Sequence, residues 1–153
     1  VEKMTGARFA QLLYRSFDAM VDAVQGDLAR EGHADLSVAH EFAMQAIDGG
    51  AANAAELARA LGVTRQAAAK TIAALEALDY VERTSDPADA RRKRLVVTER
   101  GHDAIAIGAR GFDSPYQRWR DAVGRENADA VIEALEALEA ITAPNGVRGS
   151  SVG

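Results

Sequence analysis

Apolar residues recur through residues 5–30 at Phe9, Leu13, Phe17, Met20, Val24 and Leu28. These steps of three and four predict one amphipathic helix with a continuous apolar stripe. Leu12, Tyr14 and Val21 widen the stripe beyond what one helix of a small monomer needs. A second helix is predicted from Ser37, as N-cap, to Gly49-Gly50. Asn53-Ala-Ala-Glu56 has the form of a capping box, with Leu57 and Leu61 on one face and Gly62 as terminator. Thr64 caps the next helix, whose inward stripe reads Ala68, Ile72, Leu75 and Leu78. Two short strands are then predicted, Tyr80–Thr84 and Arg94–Thr98, with Asp86-Pro87 opening a loop over residues 85–93. Thr98 caps a long helix with the stripe Ile105, Gly108/Ala109, Phe112, Tyr116, Trp119 and Val123, broken or kinked at Pro115. A last helix is expected over 126–141, and a flexible tail over 143–153, rich in Gly, Pro and Ser.

Composition narrows the class. The chain has 153 residues and no cysteine, which excludes disulfides, thiol nucleophiles and cysteine metal sites. No apolar stretch is long enough to span a bilayer and residues 1–15 lack a signal-peptide pattern, so a cytoplasmic protein without a membrane partner is expected. The formal net charge is -5, but the charge is segregated. Acid gathers at Glu126, Asp129, Glu133, Glu136 and Glu139, whereas Arg91, Arg92, Lys93 and Arg94 follow one another on the predicted hairpin loop.

Two short helices joined by a Gly-containing turn make a helix-turn-helix, and the hairpin after them makes it a winged helix. The second helix of such a pair enters the major groove of DNA. Its exposed start would carry Arg65, Gln66, Ala67, Ala69 and Lys70. Arg65 or Lys70 can donate to guanine, Gln66 can pair with adenine, and the alanine methyls can touch thymine methyls. Thr64 and the helix N-terminus suit a phosphate. Arg91 to Arg94 would be neutralised by the adjacent phosphate backbone, or would enter a narrow minor groove. Asp89, two residues before Arg91, either orients that guanidinium or serves only as a turn residue.

The stretch AELARALGVTRQAAAKTIAALEALDYVERTSDPADARRKRLVVTERG resembles the core of the MarR family. That family's hairpin reads D-P-x-D-x-R, a β-branched strand, then T-x-x-G; the corresponding residues are Asp86, Pro87, Asp89, Arg91, Thr98 and Gly101. Ala90 replaces a frequent second arginine, Ala67 and Ala69 replace commonly polar positions, and Asp79 stands where a glycine often ends the recognition helix. The resemblance implies a mainly α fold with a small β-hairpin wing: a winged helix-turn-helix over 34–101 and a helical dimerisation domain from 1–33 and 102–142. It implies a homodimeric transcription regulator, a repressor, on a pseudo-palindromic double-stranded DNA site. Phe9, Leu13, Phe17, Val131, Leu135 and Leu138 would form the dimer interface. A small aromatic or acidic effector would bind near Tyr14, Arg15, His40, Met44 and Trp119.

Competing readings have their own signatures. Such aromatic and methionine positions are more often core than a ligand box. His33, His40 and His102 lack helical ligand spacing, so no metal or other cofactor is expected. An enzyme finds no support in a P-loop, a dinucleotide fingerprint or a G-x-S-x-G. A winged helix used only for dimerisation predicts a neutral hairpin tip and a catalytic domain after it, and this tip carries four positive charges.

Overall fold

The computed structural model describes residues 3–142; the tail expected over 143–153 lies outside them. The elements run α1 (Gly6–Arg30), α2 (Val38–Asp48), α3 (Ala54–Leu61), α4 (Arg65–Ala77), β1 (Val81–Asp86), β2 (Asp89–Val97), α5 (Glu99–Val123) and α6 (Arg125–Thr142). This is the mainly helical winged-helix architecture that the sequence pattern predicts. By its contacts the chain divides into two compact units, Val1–Asp113 and Ser114–Gly153.

The first unit holds one apolar core. Val24 and Leu28 of α1, Met44 and Ile47 of α2, Leu57 of α3, Ile72 and Leu75 of α4, Leu95 and Val97 of β2, and Ala104 and Ile107 of α5 are all buried in it. Only the C-terminal part of α1 takes part. Its N-terminal half leaves Phe9, Leu12, Tyr14 and Phe17 exposed, so the stripe read from the sequence is longer than its own unit covers. In the second unit α6 follows α5 through Gly124 at φ +88°. Arg120 there lies 3.7 Å from Asp129, and Val131, Ile132 and Leu135 of α6 are exposed.

Two expectations need adjustment. The first concerns Pro115, where a break or a kink is expected: it lies inside α5 without ending it, so the break does not occur. Proline removes one i→i−4 donor, and the turns on either side keep the helix continuous. The second concerns Arg91, Arg92 and Lys93, expected on the loop over 85–93 and found within the span of β2. β2 begins at Asp89, leaving Pro87-Ala88 as the turn. The antiparallel register runs from Val81↔Val97 to Ser85↔Lys93 and then jumps to Asp86↔Asp89. That jump is a bulge, so Ala90, Arg91 and Arg92 belong to the looped-out part of the longer strand. Asp86 closes the turn by accepting the Ala88 N–H at 2.9 Å.

α4 ends in a Schellman motif. The Tyr80 N–H donates to the Leu75 carbonyl at 2.9 Å and the Asp79 N–H to the Glu76 carbonyl at 3.1 Å. Asp79 holds the left-handed position at φ 61°, the single non-glycine residue to do so among the described residues. The family's usual glycine has no Cβ to strain there. Asp79→Gly is therefore expected to stabilise the fold by about 0.5–1 kcal/mol, read as a raised urea midpoint at unchanged m-value.

Glu41 of α2 is fully buried, and neither carboxylate oxygen has a well-formed hydrogen-bond partner. It faces Gly108 of α5 so closely that a Cβ at 108 would sit 2.4 Å from Oε2. Burial pushes the carboxyl up to about 7, against a weaker opposing effect of Gln45 one turn along α2. The unfolded carboxyl titrates near its ordinary 4.5. The folded state therefore binds more protons between these two values, and Glu41 removes stability as pH rises through that window. The loss is on the order of 3 kcal/mol once the window is passed. Urea unfolding at pH 5 and pH 8 should show Glu41→Gln gaining on the parent only at the higher pH. An equal difference at both would contradict a buried, unpaired acid.

Candidate nucleic-acid interface

The helix pair is built from caps. Asn53 Oδ1 accepts the Glu56 N–H at 2.9 Å. Glu56 Oε2 reaches back to the Ala52 N–H at 2.7 Å, one residue beyond the usual box partner. Gly62 leaves α3 at φ +66°, a conformation glycine adopts without a steric penalty. Thr64 Oγ1 then accepts the Ala67 N–H at 3.1 Å and starts α4. Because Ala68, Ile72 and Leu75 point into the core, the helical period turns Arg65, Gln66, Ala67, Ala69 and Lys70 outward. All five are exposed, as is Thr64.

Three contacts root the hairpin. The Leu95 N–H donates to the Ala52 carbonyl at 2.9 Å, adding the segment before α3 to the edge of β2. Arg83 of β1 grips Glu76 of α4 with a two-nitrogen fork, Nη2 to Oε1 at 3.1 Å and Nε to Oε1 at 3.2 Å. Asp89 accepts the backbone N–H of Arg91 at 3.0 Å and lies 3.9 Å from Nε of Arg92. Asp89 thus orders Arg91 through its main chain, while the guanidinium beside it belongs to Arg92. Arg91, Arg92 and Lys93 are exposed. Arg94 differs: it is half-buried opposite Thr84, with its Nε buried and unpartnered among the described residues.

The motif's last two residues serve the frame. Thr98 Oγ1 donates to the Asp79 carbonyl at 2.7 Å and accepts the Gly101 N–H at 3.1 Å, capping α5. Gly101 passes so near that a Cβ would lie 2.4 Å from the Tyr80 carbonyl oxygen.

The residues expected to hold an effector have separate surroundings. Met44 is fully buried in the core, which corrects its reading as a ligand contact: it packs among apolar side chains and has no surface to offer. His40 is half-buried and reciprocates the Ser37 cap, its Nδ1 accepting the Ser37 N–H at 3.2 Å; burial lowers its pKa. Tyr14 and Arg15 are exposed on α1. In the second unit Trp119 lies 6.1 Å from Tyr116, ring to ring. A cavity in the first unit is lined instead by Asp27, Arg30, Glu31, Ile107 and Arg110.

Sequence reasoning missed the Arg83–Glu76 fork and the buried polar cluster around Tyr80. Each joins residues of different elements, so neither leaves a periodic signal. The nearest hint was a tyrosine directly after the recognition helix, which the strand pattern absorbed.

A sequence profile of the MarR family matches residues 42–92. No curated protein matches the chain. Its fold is similar to that of Streptococcus pneumoniae FabT in complex with DNA, with a TM-score of 0.73 and 18% identity over 90% of this chain and 96% of that one. It is also similar to CouR from Rhodococcus jostii bound to p-coumaroyl-CoA, with a TM-score of 0.70 and 21% identity over 99% and 100%. Bordetella bronchiseptica BpsR, described with regulation of its DNA binding by 6-hydroxynicotinic acid, gives 0.67 and 18% over 91% and 98%. The chain thus carries a match to the MarR-family profile over residues 42–92, from α2 into β2, and around it a winged-helix fold similar to those of these solved structures.

Proposed function

We propose that the chain is a transcription regulator, a repressor rather than an enzyme, that binds a pseudo-palindromic duplex as a homodimer in the cytoplasm. The observation that carries this reading is the exposed cationic set Arg65, Lys70, Arg91, Arg92 and Lys93 on a chain of net charge -5. Exposed cations at a helix start and on a hairpin are what phosphates and guanine edges recognise. Gln66 adds an adenine reader, and Thr64 a phosphate ligand at the helix N-terminus. Arg94 contributes less directly, being half-buried opposite Thr84. FabT's complex with DNA supports the same use of the fold.

The dimer would bury what each unit leaves bare: Phe9 and Phe17 with half-buried Leu13 on α1, and Val131 and Leu135 with half-buried Leu138 on α6. Exposed apolar strips of this kind mark association surfaces. Residues 1–33 and 102–142 would then form the dimerisation domain and 34–101 the DNA-binding one. Among the described residues no helix is long and apolar enough to cross a membrane. CouR with p-coumaroyl-CoA and BpsR with 6-hydroxynicotinic acid support a small aromatic acid or its thioester as effector. Tyr14, Arg15 and His40 in the first unit, and Trp119 in the second, are each of a type that could contact such a ligand.

Retardation of promoter duplexes across a salt series tests the reading. The log of affinity should fall linearly with log salt, with a slope of about −0.9 per phosphate neutralised. Arg91→Ala should weaken binding to every duplex and flatten that slope. Arg65→Ala should instead relax preference at one base position, costing about 1–3 kcal/mol. Binding by Arg91→Ala equal to the parent at all salts would reject the hairpin contact. Leu135→Asp places a carboxylate in the proposed interface without a partner; sedimentation should show the dimer lost, and an intact dimer would reject that strip.

A further inference from the structure

Tyr80 is the last residue of the motif that ends α4, and it is fully buried. Its hydroxyl oxygen accepts from Nη2 of Arg100 at 3.0 Å. The same hydroxyl lies 2.8 Å from Nδ1 of His33. His33, in the link between α1 and α2, is itself buried, and its Nε2 lies 2.8 Å from Oδ2 of Asp103. The Arg100 guanidinium also stands over the Tyr80 ring, 4.6 Å from its centroid. Three parts of the chain meet in this cluster: the α1–α2 link, the end of α4, and the first turns of α5.

The hydrogens in the cluster have one consistent arrangement. Arg100 can only donate, so it occupies the tyrosine oxygen as an acceptor. The tyrosine hydrogen must then find its own acceptor, because an unsatisfied buried hydroxyl costs about 1–3 kcal/mol. Nδ1 of His33 is that acceptor, and it serves only if it carries no hydrogen. The imidazole hydrogen is then on Nε2, which is the nitrogen that faces the acceptor Asp103. Both ends of the chain select the same tautomer, and every bond runs in one direction.

We propose that the Tyr80 hydroxyl is a positioning group for DNA reading: a one-way relay, Arg100 to Tyr80 to His33 to Asp103, fixes the end of α4 against the start of α5. This rests on the DNA-binding reading above. The main chain of Tyr80 reinforces the joint, since its N–H closes α4 on Leu75 and its carbonyl accepts the Thr98 N–H at 3.0 Å. The side-chain relay adds orientation. Without it the backbone bonds tether the two helices, but the tyrosine can rotate and α4 can tilt about its capped end. Burial raises the tyrosine pKa, with Arg100 opposing, which keeps the hydroxyl protonated as the relay requires.

Two readouts on the full chain separate the relay from the DNA-binding reading. Nitrogen-detected imidazole spectra should show His33 as a single Nε2–H tautomer at neutral pH. Arg100→Met should turn it into a mixture, because the tyrosine oxygen regains the freedom to accept from Nδ1. An Nδ1–H tautomer in the parent, or an unchanged spectrum in Arg100→Met, overturns the relay. The second readout is affinity for a duplex selected from genomic DNA, against an unrelated duplex of equal length. Tyr80→Phe, folded by circular dichroism, should lose about tenfold on the selected duplex and almost nothing on the other. Asp103→Asn keeps an acceptor for Nε2–H and should stay within about twofold of the parent, whereas Asp103→Ala should fall toward Tyr80→Phe. Equal discrimination by the parent and Tyr80→Phe rejects the positioning role. If the parent binds neither duplex, the DNA-binding reading fails, and the spectra still decide the relay.

Discussion

The carbonyl oxygen of Tyr80 accepts the backbone N–H of Thr98, and the missing side chain of Gly101 lets the two segments come that close. The placement of α4 and the hairpin, the proposed DNA-facing surface, depends on this junction. It stops α4, starts α5, and sets β1 on its course along β2. A side chain at residue 101 would meet the Tyr80 carbonyl and the Val97 methyl together, so helix, strand and following helix could not converge. Buried backbone polar groups must be paired, and this joint pairs them while bringing three elements within one turn of each other.

From that junction outward, polar contacts do the orienting and apolar contacts do the holding. Ala68, Ile72 and Leu75 seat α4 in the core, but a helix on an apolar bed can still rotate and slide. The Arg83–Glu76 fork ties the hairpin to α4, and the Leu95–Ala52 bond ties it to the segment before α3. The exposed Arg83–Glu76 pair adds little to stability. Its geometry matters more, because it sets where the hairpin's cations stand relative to the helix that precedes them. Glu41 is the counter-example: a buried carboxylate that costs stability and is admitted only because Gly108 leaves room for it.

Charge follows a similar division. An acidic chain still carries a locally cationic surface by gathering its bases at Arg65, Lys70 and residues 91–93. The acid is collected on α6 instead. Net charge describes solubility and long-range repulsion, whereas local arrangement decides what docks. The bulge in β2 adds to this by looping Arg91 and Arg92 away from the ladder.

Caps, turns and periodicity were legible in the chain, because they act over three or four residues and each has a local chemical reason. Ser37, Asn53, Thr64 and Thr98 cap their helices where the sequence places them, Asp79 adopts the left-handed turn, and the outward residues of α4 follow from its inward stripe. The hairpin is longer than its sequence pattern predicts, since a charged stretch resembles a loop until its partner strand is present to pair it. At Pro115 local preference predicts a break or a kink, and the helix runs on because its turns on both sides outweigh one missing bond. The fork between Arg83 and Glu76, the burial of Met44 and Glu41, and the relay through Tyr80 and His33 belonged to the tertiary structure alone. They join residues between 7 and 70 positions apart, and no local rule says which distant partner a side chain will meet once the core has closed.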